Sequence, residues 1–145
     1  MSKFKVIIAG GRDFDDYEML RDKCNHLFQR FLEYPFLERD NHLQIVSGGA
    51  KGADQMGEIY RMHIGADLRV FKADWDNLHV EPCLIRVNSL KQEYNALAGH
   101  NRNKQMGEYA DALIAFHDGR SKGTQDMINL MKRLKKSVRV VKYEL

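Results

Sequence analysis

Three apolar runs in this chain each end in a turn of small residues, and a helical pattern follows each turn. Val6-Ile7-Ile8-Ala9 runs into Gly10-Gly11-Arg12-Asp13-Phe14. Leu43 to Val46 runs into Ser47-Gly48-Gly49-Ala50-Lys51-Gly52-Ala53-Asp54. Asp111 to Phe116 runs into His117-Asp118-Gly119-Arg120-Ser121-Lys122-Gly123-Thr124. Strand, turn and helix repeated in this way build a parallel sheet with right-handed crossovers. Each such turn leaves backbone N–H groups unpaired beside the positive end of a helix dipole, which favours an anion.

The remaining pattern fills in the same fold. Leu20, Cys24, Leu27, Phe28 and Phe31 repeat at helical spacing after a cap at Asp15 or Asp16. Pro35 ends that helix, and Glu38 to Asn41 form a polar loop. A second helix runs from about Ala53 to Ile64 with Gly65 as its C-cap. Leu68 to Phe71 reads as the third strand, with Ala73-Asp74-Trp75 delivering an aromatic to the sheet edge. Asn101 to Tyr109 is helical, Met127, Leu130, Met131 and Leu134 form the apolar face of the last helix, and Val138 to Val141 is the fifth strand. The expected fold is therefore α/β and Rossmann-like: an open, mostly parallel sheet of about five strands with helices on both faces. One domain accounts for residues 1–145, with an insertion around 76–99. The spacing of Leu84, Val87, Leu90 and Lys91 predicts a short helix there, in the role of a lid or a dimer contact.

Composition narrows the function classes. No apolar run is long enough to span a bilayer, and Met1 to Lys5 carry no signal-peptide core, so a cytoplasmic protein without a membrane partner is expected. Cys24 and Cys83 lie far apart, and the histidines show no HxxxH pairing. Neither a disulfide framework nor a metal site is expected, and no cofactor. A formal net charge of +3 is too small to argue for nucleic acid, which is not expected as a partner. Lys132, Arg133, Lys135 and Lys136 read as a solvated helix end. The chain has no GxG glycine pair, no GxxxxGK[ST] loop and no GxSxG elbow, which excludes three common nucleotide and hydrolase fingerprints.

In an open doubly wound sheet the three turns face one crevice at the carboxyl ends of the strands. Arg12, Lys51, Arg102, Arg120 and Lys122 are the cations that would meet a phosphate there. Ser47 and Thr124 offer hydroxyls; Asp13, Asp54, Asp118 and Asp126 are the acids available for ribose hydroxyls or proton transfer. Competing readings are simple: the second turn is a tight connection that binds nothing, Asp54 serves only the helix dipole, and Asp13 pairs with Arg12 or caps a turn.

The segments IIAGGRDF, VSGGAKGAD, ADW, RNKQM and DALIAFHDGRSKGTQDMI together resemble the YspA-related branch of the SLOG superfamily. That superfamily also contains the "lonely guy" phosphoribohydrolases, the DNA-processing protein DprA and the molybdenum cofactor carrier proteins. The resemblance implies a Rossmann-like fold that binds a small phosphorylated, nucleotide-derived ligand, with ADP-ribose-like molecules or nucleoside monophosphates favoured. It would act as a sensor, a sequestering protein or a weak hydrolase, as a homo-oligomer; the Met-rich last helix could serve a dimer. It places ligand contacts on Gly10, Gly11, Arg12, Gly48, Gly49, Gly52, Asp54, Arg102, Gly119, Gly123 and Thr124. Asp13, Ser47, Lys51, Trp75 and Arg120 complete the expected binding set.

A sharper comparison is with the phosphoribohydrolase signature, an arginine in RKxxM followed by PGGxGTxxE. Arg102 and Met106 match the first part, but the loop departs around His117 and Asp118, and Met127 stands where the glutamate belongs. An N-glycosidic hydrolase would need Asp126, Asp118 or Asp54 as substitute, with Arg102, Asp126 and Asp54 as the catalytic candidates. A single-stranded DNA-binding module of the DprA kind is a further alternative, poorly served by one tryptophan.

Overall fold

The computed structural model describes residues 3–30 and 43–144. The expected Phe31 on the first helix, the stop at Pro35 and the loop from Glu38 to Asn41 lie outside the described residues. A five-stranded parallel sheet runs in the order β3-β2-β1-β6-β7, from β1 (Phe4–Gly10), β2 (Leu43–Ser47), β3 (Asp67–Val70), β6 (Ala112–His117) and β7 (Ser137–Lys142). Helices α1 (Tyr17–Arg30), α2 (Ala53–Ile64), α3 (Ala98–Tyr109) and α4 (Lys122–Arg133) make the crossovers. A separate antiparallel hairpin, β4 (Ile85–Val87) and β5 (Glu93–Asn95), precedes α3.

The two-residue period of β1 splits the core in two. Val6 and Ile8 pack with Leu20, Cys24 and Phe28 of α1 and with Tyr60 of α2. Ile7 and Ala9 face the other way, onto Met106 of α3 and Met127, Ile128 and Met131 of α4. Both faces of β1 and β6 are thus covered, which is why their sequences read as near-continuous apolar runs. The methionines of α4 are spent in this core: Met127 is 1% exposed and Met131 0%, so that face is not a free dimer surface.

Local chemistry sets the boundaries. Asp16, rather than Asp15, caps α1: its Oδ1 accepts the N–H of Met19 at 3.0 Å. Gly65 ends α2 with φ 72° in the left-handed region, as expected of a C-cap glycine. Lys136 is not part of a solvated basic end. Its Nζ donates to the carbonyls of Gly107, Glu108 and Ala110, closing the C-terminus of α3.

The expected helix around Leu84 to Lys91 is a hairpin instead. Asn88 decides this: its Oδ1 accepts the N–H groups of both Leu90 and Gln92, and Lys91 takes φ 61° at the turn. An asparagine that bonds nearby backbone in this way competes with helix formation. The apolar spacing was misleading because Leu84, Ile85, Val87 and Leu90 are exposed and pack into no core. Trp75 also differs from expectation: β3 ends at Val70, and Trp75 lies beyond the sheet, beside the hairpin.

Candidate functional site

Strand order reverses between β1 and β6, and a cleft of about 400 Å³ opens at their carboxyl ends. The β1 exit supplies Gly10, Gly11, Arg12 and Asp13, and the β2–α2 turn supplies Ala50 and Asp54. Helix α3 contributes Arg102, Asn103 and Met106; the β6–α4 connection contributes Asp118, Ser121, Gly123, Thr124 and Met127. The sequence therefore brings all three glycine turns to one place.

The start of α4 opens onto the cleft. Ser121 caps it, its Oγ accepting the Thr124 N–H at 3.3 Å and meeting Thr124 Oγ1 at 2.9 Å. Asp118 accepts the N–H groups of Arg120 at 2.8 Å and Ser121 at 2.9 Å, which holds its carboxyl below the usual range. Among the described residues the N–H groups of Lys122 and Gly123 take no acceptor. A side chain added at Gly123 would meet no atom within 4 Å, so this turn has room beside it.

Arg102 is built into the cleft. Its Nη1 donates to the Gly48 carbonyl at 2.6 Å, and its Nε donates to Asn103 Oδ1 at 3.2 Å. Asn103 in turn donates to the Gly123 carbonyl at 3.3 Å and to Asp126 at 3.2 Å, tying α3 to the start of α4. Burial lowers the Arg102 pKa, partly offset by the nearby Asp54. Asp54 is buried, and its Oδ2 accepts the Ala50 N–H at 3.2 Å. Burial pushes its pKa up to about 6, against the Ala50 bond and the charges of Arg102 and Arg12. Neither Arg12 nor Arg102 has an ion-pair partner among the described residues.

The glycine turn after β2 is only partly open to an anion, since among the described residues the N–H groups of Lys51 and Gly52 take no acceptor but others do. Three of its N–H groups are already used: Gly49 bonds Ser47 Oγ, Ala50 bonds Asp54, and Ala53 bonds the Gly11 carbonyl. Ser47 is fully buried, with its hydroxyl donating to Glu58 at 2.7 Å, and it does not face the cleft. Gly52 lies against the backbone of Gly11 and Arg12 and does not face it either. Gly48, Gly49 and Lys51 instead line an adjoining compartment of about 410 Å³, together with Arg12, Lys72, Trp75 and Arg102. That compartment has four cations and no carboxylate.

Gly119 and Arg120 sit on the outer turn, where Gly119 takes φ 87°, and line neither compartment. Asp126 points to α3, bonded to Asn103 and to His100 at 3.2 Å, so it does not join Arg102 and Asp54 in the cleft. Asn103, Ser121 and Met106 are lining residues that the sequence reading missed. Ser121-x-x-Thr124 was the available signal for a cap, and Asn103 sits next to Arg102 in RNKQM. Both cysteines are free, and no group of three metal-ligating side chains occurs among the described residues.

The fold is similar to that of two DNA processing proteins. DprA from Streptococcus pneumoniae superposes with a TM-score of 0.65 at 14% identity, covering 99% of this chain and 52% of that one. DprA from Helicobacter pylori, solved for its single-stranded DNA binding mode, gives a TM-score of 0.64 at 16% identity, covering 99% and 67%. The chain thus spans about half the length of the streptococcal protein, and at these identities the likeness is one of fold. No curated protein matches the sequence. No helix among the described residues is long and apolar enough to cross a membrane. The family model of the YspA, cpYpsA-related SLOG proteins matches residues 4–78, which include β1, β2, both of their glycine turns and Trp75, and the chain belongs to that family.

Proposed function

We propose that the switch-point cleft binds a phosphorylated nucleotide-like ligand, of the ADP-ribose or nucleoside monophosphate class, with a phosphate held between Arg12, Arg102 and the first turn of α4. The observation that carries this reading is Arg102. It is positioned by two neutral partners, Gly48 and Asn103, and no carboxylate among the described residues pairs with it directly, although Asp54 lies near enough to offset part of its charge. An oriented guanidinium beside an open helix start suits a phosphate. Asp13, Asp54 and Asp118 line the same cleft and can accept from ribose hydroxyls.

Melting in the presence of ADP-ribose or AMP tests this, because a ligand that binds the native state raises apparent stability. Arg102→Ala should lower affinity at least about 10-fold, the scale of one charge-assisted hydrogen bond. Gly123→Ala is the finer probe. The added methyl has room in the fold but enters the cleft, so it should leave the ligand-free melting temperature unreduced while weakening the ligand. No stabilisation by either nucleotide at millimolar concentration would remove the proposal.

A second reading, single-stranded DNA binding, is favoured by the fold likeness to the two DprA proteins and by Arg12, Lys51, Lys72 and Arg102 lining one compartment with Trp75. The small net charge that argued against nucleic acid averages over the chain and misses this local concentration. Oligonucleotide affinity that falls steeply between about 50 and 200 mM salt would support it. Absent or salt-insensitive binding would exclude it.

A further inference from the structure

We infer that Trp75, backed by the β4–β5 hairpin, forms a stacking shelf for the heteroaromatic base of a single nucleoside 5′-phosphate whose phosphate occupies the switch-point cleft; this rests on the phosphate reading above. Arg12 lines the cleft, the cationic compartment and a third opening of about 670 Å³ beside the hairpin, so the three adjoin at one residue. Trp75 lines the second and third of these. It is 39% exposed, and that surface belongs to the compartments rather than to a core.

The ring is held in place. Tyr94 of β5 meets it edge-on, with centroids 6.4 Å apart at 64°. Its outer edge lies by α3, where a side chain at Gly99 would be 3.4 Å from Trp75 Cη2 and 3.9 Å from Arg102 Nη2. The Trp75 carbonyl accepts the Asn95 N–H at 2.7 Å. Asn95 is fully buried, and its Oδ1 takes the N–H groups of Leu84 and Leu97. A two-stranded hairpin is marginal alone; here it is locked to the tryptophan and to the start of α3. This gives the segment 76–99 a role other than the expected lid or dimer contact.

A base lying on Trp75 would sit beside Arg12, which can span ring and phosphate, and in the opening that Gln92 lines. Aromatic stacking tolerates any base, whereas a sugar phosphate without a base gains nothing from the shelf. That difference isolates the inference from the phosphate reading.

Trp75 is the chain's one tryptophan, so its fluorescence reports the shelf directly. Titration with AMP should quench it, and ribose 5-phosphate should bind, by melting shift, without quenching. Trp75→Ala should weaken AMP about 10–100-fold and leave ribose 5-phosphate unchanged, while Trp75→Phe, which keeps a ring, should retain most of the AMP affinity. Arg102→Ala should weaken both ligands. Equal affinities for AMP and ribose 5-phosphate, unmoved by Trp75→Ala, would overturn the shelf and leave the phosphate site standing. No binding of AMP, ribose 5-phosphate or ADP-ribose would overturn both. Quenching by a single-stranded oligonucleotide but not by AMP would assign the stacked base to a strand and overturn the single-nucleotide assignment.

Discussion

Gly52→Ala should lose on the order of 4 kcal/mol of stability, read as a large drop in urea midpoint, through two costs of about 1–3 kcal/mol each. The first is conformational: Gly52 has φ 78° and ψ −124°, a combination almost confined to glycine. The second is steric, since the new Cβ would lie 2.3 Å from the Gly11 carbonyl and 2.6 Å from that of Arg12. The Gly11 carbonyl cannot retreat cheaply. It accepts the N–H groups of Ala53 at 3.2 Å and Phe14 at 3.3 Å, so it clamps the β1 and β2 turns together. Gly119→Ala makes the control, because φ 87° there carries the conformational cost while nothing lies within 4 Å. It should lose about 1–2 kcal/mol, the left-handed backbone cost alone. Equal losses at the two positions would show that the turns are not clamped.

This contrast marks how far the sequence could be read. Local signals were enough for the sheet and helices. The helix from Ala53 to Ile64 and its cap at Gly65 follow from periodicity and from a residue that tolerates positive φ. The convergence of three turns follows from strand order, because parallel crossovers leave little choice of where the carboxyl ends meet. What stayed hidden is the purpose of each glycine. Gly52 and Gly123 look alike in sequence, yet one is required by a backbone 41 residues upstream and the other faces open space. The β2 turn has fewer open donors than its sequence suggests for the same reason: Ala53 spends its N–H on Gly11, a partner that periodicity does not reveal. The hairpin was illegible because two asparagine side chains, Asn88 and Asn95, organise it through backbone bonds rather than through apolar burial.

Asp54→Asn should stabilise the ligand-free protein at pH 7.5, with the gain fading as the pH is lowered toward 4. In the folded chain the Asp54 pKa stands at about 6 instead of 3.8, chiefly from burial. The difference corresponds to about 3 kcal/mol. Because the folded value is raised, the folded state holds a proton that the unfolded chain has released between those two pH values. Stability from this group is full below about 3.8 and is lost as pH rises through about 6. At pH 7.5 the protein carries the whole cost of a buried carboxylate, and asparagine, which can still accept from Ala50, does not. The α2 dipole opposes this by roughly 0.3–1 kcal/mol, since Asp54 lies in its first turn. The net gain is then about 2 kcal/mol, or about 6 °C in melting temperature. A wild-type and variant pair measured from pH 4 to 8 cancels the contribution of Asp67 and Asp118, whose lowered pKa values act in the opposite direction. A phosphate placed beside Arg102 would raise the Asp54 pKa further, so binding should take up protons near neutral pH. ADP-ribose is the cleaner probe, because the phosphate monoester of AMP itself titrates near pH ~6. Asp54→Asn that destabilises at every pH would mean that the carboxylate is held by its N–H and arginine neighbours more strongly than burial opposes it. If the variant is instead more stable and binds ADP-ribose less tightly, the buried charge is kept for the ligand at the expense of the fold.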